Sequence, residues 1–141
     1  MGDTYAYAPD TTRDQAYNLW LAAPAATYVA VLDNDIVGTY YLKANQPAQG
    51  AHVCNAGYMV AGHARGRGLG REMCLHSQLE ARKLGFKAMQ FNLVVSTNTG
   101  AIRLWESLGF ETVGVLPKAF KHPRKGFVDA LVMYKWLEST E

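Results

Sequence analysis

The 141-residue sequence has little that would direct it to a membrane, an oxidising compartment or a nucleic acid. It has two cysteines, Cys54 and Cys74, whose spacing is not that of a metal site, so we expect reduced thiols that pack in the interior and no bound metal. It has no apolar run of about 18 residues and no secretory hydrophobic segment, which predicts a cytoplasmic protein that does not cross a membrane. A net charge of +2 is too small to indicate a polyanionic partner by itself.

Length and composition predict one ordinary domain over residues 1–141. Hydrophobic residues make up 49% and charged residues 18%, which is typical of a globular protein. The sequence contains no internal repeat, low-complexity tract or linker. We therefore expect a single mixed α/β domain.

The patterning alternates between helical and strand periods along the chain. Thr12 and Gln15 form a capping-box pair at the start of the first helix. An Asp-Asn-Asp turn at 33–35 predicts a hairpin. Helices are expected at 11–23, 70–84 and 98–108, and strands at 27–32, 36–42, 52–60, 88–95, 110–116 and 127–136.

The strand at 88–95 alternates between apolar and polar positions. Met89, Phe91, Leu93 and Val95 are expected on one face, with Asn92 on the other.

Residues 117–126 are expected to form a basic loop. A nucleic-acid interaction through its side chains is one alternative, but a solvated loop is more common, and no aromatic platform accompanies the charges. We expect no nucleic-acid partner. The cations concerned are Lys118, Lys121, Arg124 and Lys125.

A glycine-rich stretch at residues 60–71 joins an apolar run to a helical pattern. Gly66, Gly68 and Gly70 stand at every second position, where glycine permits backbone angles and close approaches that a Cβ forbids. Free N–H groups at a helix N-terminus form a ready anion site, so the stretch predicts a diphosphate-binding loop. It is not a P-loop, because Gly70 is followed by Arg71 and not by Lys-Ser/Thr. A dinucleotide fingerprint is also excluded, because Arg71 occupies the place of its third glycine.

Two motifs carry a resemblance to a known family. Arg65-Gly-Arg-Gly68-Leu-Gly70 resembles the Arg/Gln-x-x-Gly-x-Gly/Ala pyrophosphate loop of the GNAT superfamily of N-acetyltransferases. The segment at 98–110 is similar to that family's Asn-x-x-Ala-x-x-Leu-Tyr-Glu-x-x-Gly-Phe segment. The segments at 4–9 and 126–130 are similar to the branch that contains phosphinothricin and amino-acid N-acetyltransferases.

The resemblance implies a mixed, mostly antiparallel sheet flanked by helices. This sheet would splay between the strand before the glycines and the strand at 88–95, and acetyl-CoA would lie in the opening. Family members usually have a strand and a helix ahead of the region of Tyr5 and Tyr7, and this sequence has no residues for them. Either the start is truncated, or the strand at 27–32 is left as a sheet edge, which favours a homodimer.

The implied activity is acetyl-CoA-dependent N-acetylation of a primary amine on a small molecule, an amino acid or analogue, by direct attack in a ternary complex. Acetylation of a protein N-terminus or lysine, and binding of CoA without turnover, are the alternatives. Tyr5, Tyr7 and Asp129 are candidates to line the acceptor pocket. The resemblance implies cofactor contacts by Met59, Val60, Arg65, Gly66, Arg67, Gly68, Leu69, Gly70, Arg71, Asn98 and Trp105, with a backbone N–H near Met59 as the oxyanion donor.

The chemistry requires a neutral amine, and an alkyl amine with a pKa of about 10.4 is almost wholly protonated at pH 7. His52 and His122 are the leading candidate bases, His63 beside the glycines is a further one that is expected to be exposed, and Asn92 is a candidate to hold the acceptor or a water molecule. The family tyrosine that often acts as general acid is Trp105 here, and an indole N–H cannot donate a proton at useful pH. Tyr134 is the candidate substitute acid.

Overall fold

The computed structural model describes residues 10, 12–22 and 24–137, so Tyr5 and Tyr7 lie outside the described residues. The strands of the described chain form one sheet in the order β1-β2-β3-β4-β6-β5. The elements are α1 (Arg13–Tyr17), β1 (Ala26–Leu32), β2 (Asp35–Ala44), β3 (Val53–Val60), α2 (Leu69–Lys83), β4 (Ala88–Val95), α3 (Thr99–Ser107), β5 (Glu111–His122) and β6 (Gly126–Trp136).

The sheet is mixed and mostly antiparallel, as expected. Only the β3–β4 pair is parallel in the described sheet, and its register covers just three residues of each strand, Val53–Asn55 against Ala88–Gln90. Beyond Asn55 the two strands diverge, while β3 stays paired to β2 and β4 to β6. We call the gap between residues 56–60 and residues 91–95 the cleft.

The two sides of the sheet are covered differently. Helices α2 and α3 pack on the side that we call the helix face, where Tyr58, Phe91 and Met133 belong to one buried cluster. Because side chains alternate along a strand, the opposite side carries Lys43 and Gln90, and we call it the open face.

The first helical segment is shorter and less regular than predicted. The capping box is confirmed, since Thr12 Oγ1 accepts from Gln15 N and Gln15 Oε1 accepts from Thr12 N. After α1 the chain continues as a π-helix, Asn18–Ala22, in place of the regular α-helix expected to residue 23. Trp20 lies in this segment and packs edge-on against Tyr41 of the open face, with its Nε1 donating to Thr39 Oγ1 at 2.9 Å.

The predicted alternation along β4 is wrong after Phe91. The partner of Phe91 is Met133 and that of Val94 is Leu131, so two β4 residues oppose one β6 residue. This bulge brings Val94 into the buried cluster of the helix face and takes Val95 out of it.

The predicted basic loop is also wrong. Strand β5 continues to His122, and the turn to β6 contains only residues 123–125. The pairing of β5 with β6 has a register shift between Leu116 and Phe120. Lys118 adopts a positive φ of 54° there, and its N–H donates to Asp129 Oδ1 at 3.0 Å. Asp129 Oδ1 therefore stabilises this bulge, and a role of Asp129 in an acceptor pocket stays a prediction.

The β1–β2 hairpin is confirmed, with Asp33 and Asn34 at the positive φ values that a tight turn requires. Strand β1 is an outer strand of the described sheet, and Val29 and Val31 on it are more than half exposed. These features support the expected homodimer, which stays a prediction. Among the described residues, no helix is long and apolar enough to cross a membrane.

Candidate active site

The glycine-rich loop at residues 60–71 joins β3 to α2 at the mouth of the cleft. Gly66 and Gly68 have φ values of +82° and +75°, in the left-handed region that favours glycine, and Gly68 is the N-cap of α2. A Cβ at either position would meet nothing within 4 Å, so backbone conformation and not space requires glycine there. At Gly70 the reason is space, because a Cβ would lie 3.3 Å from Leu104 Cδ2 on α3.

The loop presents unused donors to solvent. None of the backbone N–H groups of residues 66–71 donates to another group in the described part of the chain. The exposed side chains of Arg65, Arg67 and Arg71 also have no ion-pair partner there. Six N–H groups and three guanidinium groups at the N-terminus of a 15-residue helix fit the diphosphate of CoA. Across the cleft, Asn98 is the N-cap of α3, and its Oδ1 accepts from Ala101 N at 3.3 Å.

Hydrogen-bond alternation decides which N–H groups of β3 face the cleft. Asn45 N donates to Val53 O, and Ala61 N donates to Val37 O, so the odd-numbered residues of β3 bond to β2. The N–H of Met59 is therefore directed at β2. The N–H groups of Tyr58 and Val60 point into the cleft and are the better-placed oxyanion donors, while the Met59 side chain is exposed on the open face.

Trp105 is part of an aromatic cluster on the helix face beside the cleft. Its ring centroid lies 5.3 Å from that of Tyr58 and 4.9 Å from that of Phe91, and Phe91 stacks on Phe110 at 4.3 Å. The Tyr58 hydroxyl is bonded to Ser77 Oγ at 2.6 Å, and burial raises the pKa of Tyr58. The Tyr58 hydroxyl is therefore hydrogen-bonded to α2 and does not serve as a general acid in the cleft.

Two of the four catalytic candidates are engaged in contacts with other parts of the chain. His52 precedes β3, seven residues before Met59 or about 23 Å along an extended strand, and its ring contacts Trp136. His122 is buried at the end of β5, and its Nδ1 accepts from Arg124 N and Lys125 N at 3.1 Å each. The lone pair that a base would use is thus engaged in closing the β5–β6 turn.

The other two candidates, Asn92 and Tyr134, lie on the open face. Tyr134 pairs with Gln90 in the row where the β3–β4 register ends. Asn92 Nδ2 donates to Asn45 Oδ1 at 2.7 Å, and Asn92 Oδ1 accepts from Gln90 Nε2 at 3.0 Å. The side chain of Asn55, which is buried, donates to Gln90 O at 3.0 Å.

We call Asn45, Asn55, Gln90 and Asn92 the amide row. Sequence reasoning identified only Asn92, because the row exists through the pairing of three strands and no local motif marks it. The alternation of polar positions within each strand was the available signal.

Both cysteines are buried on the helix face. Cys54 is fully buried, and burial raises the pKa of its thiol to about 12; the pKa of the Cys74 thiol is raised for the same reason. Neither is a thiolate at neutral pH, so neither is prepared to accept an acetyl group. The described residues contain no group of three His, Cys, Asp or Glu side chains that could hold a metal ion.

A split parallel strand pair with a diphosphate-binding loop at its mouth describes a CoA-dependent acyltransferase. The sequence profile of the acetyltransferase (GNAT) family matches residues 2–110. The chain belongs to this family, which confirms the resemblance found in the two motifs. It is an N-acetyltransferase that uses acetyl-CoA.

Individual relatives agree with this assignment. The chain is similar over its whole length to the N-acetyltransferase aca1 of Schizosaccharomyces pombe, with 32% identity and 76% of that protein covered. A GCN5-related N-acetyltransferase from Kribbella flavida is 47% identical, with a TM-score of 0.90 over 96% of this chain and 83% of that chain. A phosphinothricin acetyltransferase from Sinorhizobium meliloti in complex with AcCoA shares the fold, with 21% identity and a TM-score of 0.71 over 79% of this chain and 60% of that chain.

Proposed function

We propose that the enzyme transfers the acetyl group to a primary amine of a small molecule, an amino acid or analogue, by direct attack in a ternary complex. The observation that carries the proposal is the position of the cleft. The glycine-rich loop binds the cofactor at its mouth, and the open face gives an acceptor separate access to it. Two neutral, buried thiols support direct transfer over an acetyl-cysteine intermediate.

In this reaction the neutral amine forms the new N–C bond, the C–S bond breaks, and CoA leaves as thiolate or thiol. The N–H groups of Tyr58 and Val60 stabilise the oxyanion that develops between these events. Asn92 positions the amine or a water molecule, since an amide is not a base. The proton of the amine passes to solvent directly or by way of the Tyr134 hydroxyl, which lies on the same face.

The first test measures thermal unfolding with acetyl-CoA. A ligand at a hundred times its Kd stabilises the folded state by about 2.7 kcal/mol, so millimolar acetyl-CoA should raise the Tm of the wild type by several degrees. Gly68→Val should abolish this rise, because valine does not adopt the left-handed backbone that aims the N–H groups. Gly85→Val is the matched control, since Gly85 also has a positive φ but lies after α2, away from the loop.

Both valine variants should lose stability, but only Gly68→Val should lose the acetyl-CoA response. An unchanged wild-type Tm at millimolar acetyl-CoA would contradict cofactor binding at this loop. Thiol release across amino acids, polyamines, amine-bearing antibiotics and peptides then separates the small-molecule proposal from protein acetylation and from binding without turnover. Action in the cytoplasm and without a nucleic-acid partner stays a prediction.

A further inference from the structure

We propose that Lys43 and the amide row bind an anionic group of the acceptor, so that the preferred acceptor is an amine that also carries a carboxylate. This inference rests on the proposed function and names the substrate class of the same site. It makes Lys43 a specificity-determining residue.

Lys43 stands in the last row of the sheet before the cleft opens. The register pairs Lys43 with Asn55, Asn55 with Gln90, and Gln90 with Tyr134, all on the open face. An acceptor that reaches the cleft from this face passes over that row. We infer that the acceptor contacts the accessible side chains of this row.

The charge of Lys43 is not neutralised within the described chain. Its Nζ lies 5.4 Å from the centroid of the Tyr41 ring and has no carboxylate partner among the described residues. The acidic side chain of the same row is Glu111, four strands away or about 19 Å. A half-buried ammonium with an aromatic contact and no counter-ion attracts an anion and repels a polyamine.

The amide row adds oriented donors on the same face, with Gln90 two strands from Lys43 in the register or about 10 Å between their Cα atoms. Asn92 and Gln90 each use one N–H of the side-chain amide within the row, at 2.7 and 3.0 Å, and keep the second N–H for a ligand. Because the row is hydrogen-bonded to itself, these donors are oriented before the ligand arrives. An ammonium and two oriented amide donors form a binding site for a carboxylate.

The spacing of the strand limits where the anion sits on the acceptor. The ring and hydroxyl of Tyr41 lie over Gly57, and the Lys43 ammonium lies 5.4 Å from the centroid of the Tyr41 ring. Met59, which stands between the oxyanion donors Tyr58 and Val60, is two residues further along β3 than Gly57, about 7 Å. An α-carboxylate is closer than this to its own amine, so the anion belongs on a side chain or at the far end of a short chain.

The test compares glycine, β-alanine, 4-aminobutyrate, 5-aminovalerate and glutamate with their methyl esters, using thiol release from acetyl-CoA. In the wild type, the longer free acids and glutamate should have lower KM values than their esters. Lys43→Met should raise the KM of these acids about tenfold or more and leave the esters and the KM of acetyl-CoA unchanged. Lys43→Arg should restore most of the preference, and Lys87→Met, an exposed lysine before β4, should have no effect.

An equal loss for acids and esters in Lys43→Met, or no loss at all, would overturn the inference. If the wild type releases no thiol with any amine, the proposed function fails instead. Calorimetric titration of the acids into the CoA-bound protein then still decides the role of Lys43, because weaker binding to Lys43→Met supports it and equal binding refutes it.

Discussion

The two faces of the sheet differ in the side chains that they present. On the helix face, Tyr58, Phe91 and Trp105 contact one another in an aromatic cluster. On the open face, Lys43 and the amide row retain unused charge and donors. The first face packs the sheet against the helices, and the second is the one that we propose recognises the acceptor. Substitutions on the helix face should therefore act on stability, and those on the open face on acceptor binding.

The largest effect is expected from Phe91→Ala on the helix face. Phe91 is 5% exposed and stacks on Phe110 at 4.3 Å, so its removal leaves a cavity in the aromatic cluster. We expect a loss of about 3–5 kcal/mol in the free energy of unfolding, measured with urea. Phe127→Ala, at a ring that is 65% exposed, is the control and should cost far less. A loss below that of the control would show that the cluster does not support the fold.

A smaller effect on stability, with a larger one on the acceptor, is expected from Gly57→Ala. A Cβ at Gly57 would lie 2.7 Å from Tyr41 Cε2, so the Tyr41 ring must move away from the open face of β3. We expect a cost of roughly 1–3 kcal/mol and a raised acceptor KM, with the acetyl-CoA thermal shift retained. Gly114→Ala, where a Cβ meets nothing within 4 Å, is the control. A lost acetyl-CoA shift would contradict the separation of the two faces.

The smallest effect is a pH dependence that belongs to the helix face. Burial raises the pKa of Cys54 from 9.0 to about 12, so above pH 9 the unfolded chain releases a proton that the folded chain keeps. Stability from this group is complete below pH 9 and falls as pH rises, by about 1 kcal/mol between pH 9 and 10. Chemical unfolding at several pH values measures how steeply the free energy of unfolding falls as pH rises. This slope should be smaller for Cys54→Ala than for the wild type and unchanged for Lys43→Met. An unchanged slope for Cys54→Ala would contradict the assignment.

Features set by short segments were predictable from the sequence. The left-handed glycines at 66 and 68, the caps of α1 and α3 and the turn at 33–35 all depend on neighbours within a few residues. The motif at 65–70 also indicates the family, and the fold of that family predicts that β3 and β4 diverge. The cofactor side of the site therefore follows from local sequence.

Features set by strand pairing were not predictable. The bulge after Phe91 depends on the register with β6, and the extension of β5 depends on Asp129, which holds Lys118 from the neighbouring strand. The sequence places His52 beside β3, but only the parallel register shows that it stands at the end where β3 and β4 are paired, before the cleft. The amide row needs three strands in register before it exists at all.

The hydrogen-bond alternation along β3 also constrains how this enzyme can change over evolution. Pairing with β2 fixes which N–H groups enter the cleft, so a single-residue insertion between Asn55 and Val60 would exchange them for their neighbours and turn every side chain to the other face. A two-residue insertion would restore the faces but displace the glycine-rich loop by about 7 Å. The length of this segment is therefore constrained by the site, whereas residues 46–51, in the loop at the other end of the strand, are not constrained in this way.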